Sequence, residues 1–294
     1  MGKIFIDPLS DGGFKIVFGI EGKSEKFLID FLNEIFADDP EFDRIVAVAY
    51  MQNERSPRHL LEREFRYDIY CTTSTGHHFV VEMQRDVRPN FEKRSAYYVA
   101  KAMADQARKT VDGRPWKYSD LRPVVGIFVL ETHLPGKPQR AILDYQYREK
   151  EDHNEKLGMS RQIFIQLDYF NQTEEECVNR KEQWLYILKH LDNMEHMPFA
   201  QYKDQVFEQL DQYTRVTNLS AEERNYYDSL LKFYWDYNDD LQYSKEQGLE
   251  QGREQGIERE KLDTVKRMLK KGFDLATISD LTEVPINVIE KLQS

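Results

Sequence analysis

The chain has 294 residues, of which 40% are hydrophobic and 32% are charged, and its formal net charge is −11. This composition is typical of a folded globular protein and argues against a disordered one. The acidic balance also argues against a protein that coats nucleic acid by neutralising phosphates alone.

The sequence contains no signal for a membrane or for secretion. No apolar run is long enough to cross a bilayer, and the N-terminus lacks the apolar segment of a signal peptide. The two cysteines, Cys71 and Cys177, lie far apart and outside any CxxC motif. This argues against a disulfide framework or a thiolate zinc site and favours a reducing compartment. We therefore expect a cytoplasmic protein.

The first half of the chain alternates predicted helices and strands. Residues 27–36 have apolar side chains at helical spacing, and Asp38-Asp39-Pro40 ends that helix. The elements predicted next are strands at 45–51, 65–72 and 78–84, a helix at 88–109, and strands at 123–130 and 161–167 separated by a loop. This order indicates an α/β sandwich around a mixed sheet.

The second half is predicted to be helical, with helices at 181–192, 197–216 and 221–237. A Glu-Gln-Gly repeat then places glycines at 248, 252 and 256. Each glycine costs a helix about 0.8–1 kcal/mol relative to alanine. The repeat is therefore either a flexible polar linker or a surface for close helix–helix contact in a homo-oligomer. Residues 261–294 have a helix-turn-helix outline, although the second helix offers few groups for phosphates.

Two neighbouring predicted strands carry acids near their ends. Glu82 and Gln84 are two residues apart, so they project from the same face of a strand, and Asp68 can join them if its strand pairs alongside. Two converging carboxylates repel each other unless a hard cation lies between them, and Mg²⁺, or Mn²⁺ in its place, suits such oxygen ligands. An ion of this kind can support phosphodiester hydrolysis without a covalent nucleophile. Spacing alone does not distinguish this site from a chance pattern.

The segment 85–117 is basic, with nine basic and four acidic residues. It is either a solvated helix face or a surface that contacts a nucleic-acid backbone. Arg94 and Tyr98 are four residues apart, so they share a helix face that can meet a phosphate and stack on a base. The alternative is that Tyr98 lies in the core while Arg94 pairs with Glu92.

Specific motifs follow one another in a fixed order over roughly residues 7–170. They are Asp-Gly-Gly-Phe-Lys at 11–15, Tyr-Asp-Ile-Tyr-Cys at 67–71, Phe-Val-Val-Glu-Met-Gln at 79–84, Phe-Glu-Lys-Arg-Ser-Ala-Tyr-Tyr at 91–98 and Tyr-Ser-Asp-Leu-Arg-Pro-Val-Val at 118–125. Together they resemble the recombination-promoting nuclease and transposase family of the PD-(D/E)XK nuclease superfamily. The resemblance implies a restriction-endonuclease-like α/β fold, in which helices flank a mixed sheet and an all-helical C-terminal region follows.

The resemblance over residues 7–170 and the helical patterns that follow it together indicate a domain organisation. We expect a nuclease-like domain at 1–172, a helical region that packs on its core at 173–243, a glycine-repeat linker or helix at 244–260, and a helix-turn-helix-like unit at 261–294.

The resemblance further assigns site residues. Asp68 and Glu82 take the positions of the catalytic metal ligands, and Gln84 takes the position where the wider superfamily most often has lysine. Because glutamine offers only an amide dipole there, we expect Lys15 or Arg94 to bring positive charge to the site. Glu34 is either an additional helix acid of the site or a solvated residue. Arg85, Arg94 and Tyr98 are expected to contact DNA.

The function implied is magnesium-dependent cleavage of DNA, linked to recombination or mobile elements and leaving 5′-phosphate and 3′-hydroxyl ends. Two alternatives stay open. The missing lysine and the helix-turn-helix-like end also suit a non-catalytic DNA-binding or regulatory protein, and the same metal chemistry can act on RNA.

Overall fold

The computed structural model describes residues 3–40, 42–51, 54–55, 65–107, 110–111, 113–199 and 205–293. The chain forms two compact units, Met1–Leu231 and Lys232–Ser294. None of the described helices combines the length and the apolar character that crossing a bilayer requires. The domain boundaries predicted at 172, 243 and 260 stay predictions.

A six-stranded mixed sheet organises the first unit. Its order is β1 (Val48–Tyr50), β4 (Ile69–Thr73), β5 (His78–Gln84), β8 (Val124–Leu130), β10 (Lys156–Gln166) and β9 (Ile142–Arg148). The central strands β5, β8 and β10 are parallel, and the outer pairs are antiparallel. Two small ribbons pair β2 (Glu54–Arg55) with β3 (Phe65–Arg66) and β6 (Thr110–Val111) with β7 (Arg114–Pro115).

Helices cover both faces of this sheet. They are α1 (Asp11–Phe18), α2 (Glu25–Ile35), α3 (Phe91–Ala104), α4 (Arg180–His190) and α5 (Gln205–Thr214). On one face, α3 packs with Val80, Phe128 and Phe164 in a compact apolar cluster. The other four helices build the larger core, which receives Val81 and Met83 from β5. The predicted α/β class, a mixed sheet flanked by helices, is confirmed.

The second unit is helical and has its own small core. It contains the greater part of α6 (Ala221–Lys270), followed by α7 (Leu275–Thr282) and α8 (Ile286–Gln293). Val265, Ile278, Val284 and Ile289 are buried together. The Glu-Gln-Gly repeat lies within α6, and a Cβ built on any of its three glycines meets no atom within 4 Å.

The single half-buried strand predicted at 65–72 is wrong in two respects. The chain forms two separate strands, β3 and β4, and Asp68 lies between them at a bend. In β4 the side chains on both faces are buried, because Ile69 and Cys71 join the larger core while Tyr70 packs on the α3 side. Helices on both faces of the sheet leave no solvated side at this strand.

Other element boundaries also differ from prediction. The loop predicted between 130 and 161 contains β9, an edge strand whose polar residues hide its strand character. The helix predicted at 88–109 ends at Ala104, and Arg108 and Lys109 lie outside the described residues. Of the helix predicted at 197–216, the structure describes Gln205–Thr214 as helical; Phe199 has a left-handed backbone (φ 64°) and is not helical, and residues 200–204 lie outside the described part.

Candidate active site

The two carboxylates meet where the pairing of β4 with β5 ends. The last paired residues are Ile69 and Val81, which places Asp68 opposite Glu82 one step beyond the ladder. Val80 faces α3, so Glu82 and Gln84 project toward the same side of β5, whereas Met83 enters the opposite core. The predicted division between these faces is confirmed.

Each carboxylate accepts a hydrogen bond from the other strand's backbone. The N–H of Asp68 donates to Glu82 Oε1 at 3.0 Å, and the N–H of Met83 donates to Asp68 Oδ2 at 3.0 Å. These side chains therefore take over the amide groups that the interrupted ladder leaves unpaired. The exchange fixes both carboxylates at the strand ends, with Glu82 only 3% exposed.

Burial and neighbouring acids raise the pKa of both carboxyls. Burial first, and then the charge of Asp11, raise the pKa of Asp68 to about 6, against the N–H of Met83. Burial and the neighbouring Asp68 raise the pKa of Glu82 well above its ordinary value. Lys15 and Arg94 oppose these shifts at both groups. The site therefore concentrates negative charge that its own cations balance only in part.

Arg94 lies beside Gln84, the residue predicted from the sequence to take the place of a lysine. Its guanidinium donates to Gln84 Oε1, and its Cζ lies 4.9 Å from the ring centre of Phe91 and 5.6 Å from that of Tyr98. Gln84 Nε2 in turn donates to the carbonyl of Met83 at 2.6 Å. The amide of Gln84 thus orients the arginine, and a cation from α3 stands near the carboxylates.

The start of α1 adds a second cation and an acid that sequence reasoning missed. Ser10 caps this helix by accepting from the N–H of Gly13 at 3.0 Å, and Asp11 and Lys15 follow on one helical face. The charge of Asp11 raises the pKa of Asp68, and the charge of Lys15 lowers it. The signal for Asp11 was present in the Asp-Gly-Gly-Phe-Lys motif, where its spacing of four from Lys15 placed both on one side.

Gly13 allows α1 to lie against the preceding segment. A Cβ built at this position would stand 1.8 Å from the carbonyl oxygen of Asp7. No side chain fits there, so the motif requires glycine for a close backbone approach. The second glycine of the motif therefore helps to set where Asp11 and Lys15 lie.

The other predicted residues have different surroundings. Arg85 forms ion pairs with Asp7 and, at 3.1 Å, with Glu131. Burial raises the pKa of half-buried Tyr98 to about 12, with a further contribution from the charge of Glu82, so this tyrosine borders the site. The charges that act on Glu34 come from Asp30 and nearby basic residues, not from Asp68 or Glu82.

The site is suited to a hard divalent cation. Within the described ranges, no group of three or more His, Cys, Asp and Glu side chains forms a ready-made metal cage. Two carboxylates at one point are nevertheless the donor set that Mg²⁺ takes when water and substrate phosphate complete its shell. The raised pKa values of Asp68 and Glu82 mark charge that such an ion would neutralise. The residues therefore fit the ion.

Comparison with known proteins agrees with this geometry. Residues 8–244 match the family described as PD-(D/E)XK nuclease family transposase. This match includes α1, both strands of the carboxylate pair and α3. No curated protein and no solved structure gives a significant match. The chain belongs to the PD-(D/E)XK nuclease family transposases.

Proposed function

We propose that this chain is a magnesium-dependent DNA endonuclease that acts in recombination or on mobile elements. The observation that carries the proposal is the pair of Asp68 and Glu82. Each accepts a backbone hydrogen bond from the opposite strand, and the pKa of each carboxyl is raised by burial and by neighbouring acids. Family membership supports a nuclease role in general. The ion, the DNA substrate and the residue roles are our proposal.

Asp68 and Glu82 would hold the ion. When bound, a divalent cation supplies Lewis-acid polarisation of the phosphoryl group and lowers the pKa of a coordinated water. The backbone hydrogen bonds hold both carboxylates in place before the ion arrives. Such preorganisation reduces the reorganisation that the site needs during the reaction.

Lys15 and Arg94 are proposed to supply the positive charge that the superfamily lysine gives elsewhere. Both already act electrostatically on the carboxylates, so a phosphate at the site would meet them as well. Arg94 is a planar, permanently charged donor that suits phosphate oxygens. Gln84 is a positioning residue, because its Oε1 accepts from the guanidinium of Arg94.

DNA contacts are proposed for α3 and its surroundings. Tyr98 lies on the same face as Arg94, beside the carboxylates, where it can border a sugar or a base. Arg85 was also predicted to bind DNA, but its ion pairs with Asp7 and Glu131 favour a role in holding the site together. A phosphate contact by Arg85 would require those pairs to open.

The proposal is tested by incubating the purified full-length protein with supercoiled plasmid and Mg²⁺, with Mn²⁺ in a parallel reaction. Wild-type protein should nick the plasmid, and Asp68→Ala and Glu82→Ala should abolish nicking. Glu155→Ala, a change at an exposed acid on the far edge of the sheet, is the matched control and should retain activity. Equal nicking by all four proteins would overturn the proposal.

Two outcomes of related assays would redirect the assignment. DNA retention without metal that survives Glu82→Ala but is lost on deletion of residues 261–294 would favour a non-catalytic DNA-binding protein. Faster cleavage of a matched RNA would make RNA the substrate.

A further inference from the structure

A cavity of about 360 Å³ opens between α3 and the strands β9 and β10. Its apolar part consists of Phe164 and Leu134, both buried, and of the ring of Tyr145. The Tyr145 ring meets Phe164 edge to face, with ring centres 5.8 Å apart, and remains 40% exposed. The cavity therefore offers a partly open aromatic wall over an apolar floor.

The cavity lies on the same sheet face as the carboxylate pair. Phe128 of β8 is aligned with Glu82 of β5 on one side and with Phe164 of β10 on the other. Two strand spacings therefore separate Glu82 from the cavity floor, which is about 10 Å. Because successive nucleotides of a B-form strand rise about 3.4 Å, this distance spans only a few nucleotides.

One side of helix α3 faces the carboxylate pair, and its other side faces the cavity. Arg94 and Tyr98 lie on the flank beside the carboxylates, whereas Glu92 and Ala96, also four residues apart, line the cavity. A DNA strand that crosses the N-terminal turns of α3 can therefore contact both the carboxylate pair and the cavity.

Polar groups surround the aromatic wall. Gln162 lines the cavity, and its Oε1 lies 3.1 Å from Ser95 Oγ, which fixes the amide. Lys93 and Lys137 also line it, and Lys137 Nζ lies 2.9 Å from Glu92 Oε2. The lining thus combines a surface for ring stacking, an oriented amide and a surplus of positive charge. This lining complements a nucleotide, which has a flat base with polar edges and an attached phosphate.

We infer that this cavity binds one unpaired base of the DNA strand at the nuclease site, stacked on Tyr145, with its edge at Gln162 and its phosphate near Lys93. The inference rests on the proposed function, since that strand is the substrate. It adds a requirement that the carboxylates alone do not impose: one nucleotide near the cleaved bond must leave the base stack. Removing a base from the stack costs less free energy in mismatched or single-stranded DNA, so such DNA should be the preferred substrate.

The test measures equilibrium binding of the four deoxynucleoside 5′-monophosphates to the full-length protein without divalent metal. Deoxyribose 5-phosphate is the base-free control ligand. We expect at least one nucleotide to bind more tightly than this control, and Tyr145→Ala to weaken that binding about fivefold or more. Tyr147→Ala, at a 61% exposed residue of the same cavity, is a second variant in case Tyr145→Ala fails to fold. Tyr118→Ala, at an 86% exposed tyrosine outside the cavity, should leave binding unchanged.

Three results would overturn the inference: no nucleotide binding at millimolar concentration, equal binding of deoxyribose 5-phosphate, or equal effects of the cavity and control variants. Asp68→Asn separates this inference from the proposed function, because it should abolish nicking without weakening nucleotide binding. If the wild-type protein binds nucleotides but never nicks DNA, the cavity is a nucleotide site and the nuclease assignment is rejected. If it nicks DNA but binds no nucleotide, the nuclease assignment stands and the cavity inference is rejected.

Discussion

The backbone N–H of Asp68 donates to Glu82 Oε1 at 3.0 Å, while the carboxylate of Asp68 accepts from the residue that follows Glu82. This exchange joins the ends of two strands through side chains where the ladder stops. It also brings the two acids together, and ionisation is opposed at Glu82 by burial and the charge of Asp68, and at Asp68 by burial and the charge of Asp11. The same contact therefore positions the proposed metal ligands and makes them costly to ionise without metal.

The first prediction concerns the pH dependence of stability without metal. The pKa of Asp68 in the folded protein is about 6, above its ordinary value of 3.8, and that of Glu82 is also raised. Each carboxyl therefore stabilises the fold below its ordinary pKa, and that contribution is lost as the pH rises through the folded-state value. In EDTA, Glu82→Gln should melt a few degrees above wild type near pH 7.5, and the gap should shrink near pH 5.

The control for this melting experiment is Glu155→Gln, at an exposed acid, which should show no such gap. Mg²⁺ should stabilise wild type more than Glu82→Gln, because binding to the folded state adds stability. A gap that does not change between the two pH values would contradict the account.

The second prediction distinguishes two helix acids. The charge of Asp11 acts on Asp68, whereas Glu34 is surrounded by Asp30 and basic residues. Asp11→Asn should weaken Mn²⁺ binding about tenfold or more, as loss of a supporting group near a metal does. Glu34→Gln should bind Mn²⁺ like wild type. Titration calorimetry measures both affinities, and a loss confined to Glu34→Gln would reverse our choice of acid.

The third prediction is that placing a lysine at position 84 lowers the proposed cleavage activity. Gln84 accepts a hydrogen bond from Arg94, which a lysine cannot do, and a second positive charge there would repel the guanidinium. Gln84→Lys should therefore cleave plasmid at least about tenfold more slowly. The exchanged pair Gln84→Lys with Arg94→Gln should recover part of the rate, because it again has one cation and one amide. A single Gln84→Lys variant as active as wild type would show that Arg94 is not the replacement cation.

The fourth prediction concerns Gly13. A Cβ at this position would collide with the carbonyl of Asp7, so Gly13→Ala must move α1. We expect a loss of about 1–3 kcal/mol in the free energy of unfolding, measured with denaturant. Cleavage should fall as well, because Asp11 and Lys15 move with the helix. Gly158→Ala, where a Cβ meets no atom within 4 Å, is the control, and an equal loss there would remove the steric explanation.

The sequence was sufficient to predict the central strands of the sheet and the faces on which Glu82, Met83 and Gln84 lie. Strand β5 has the predicted bounds, His78–Gln84, because a run of apolar residues follows the turn that Gly76 closes. The alternation of Glu82, Met83 and Gln84 between the two faces followed from strand geometry alone. Local patterns of this kind survive in the fold because neighbouring residues determine them.

Contacts between distant segments could not be predicted in the same way. The hydrogen bond from Arg94 to Gln84 depends on how α3 crosses the sheet, and no local sequence pattern predicts that crossing. Arg85 illustrates the same limit, since its position in a basic stretch suggested DNA, while its acid partners lie far away in sequence at Asp7 and Glu131. Strand β9 was missed because an edge strand tolerates the polar residues that identify loops.

The most direct test of the central claim is an anomalous diffraction measurement on crystals of the full-length protein soaked in Mn²⁺. We predict one peak within about 2.5 Å of carboxylate oxygens of both Asp68 and Glu82. The peak should vanish in Asp68→Asn and Glu82→Gln crystals grown and soaked in the same way. A wild-type crystal with no ion between these two carboxylates, or with an ion that persists in both variants, would contradict the account.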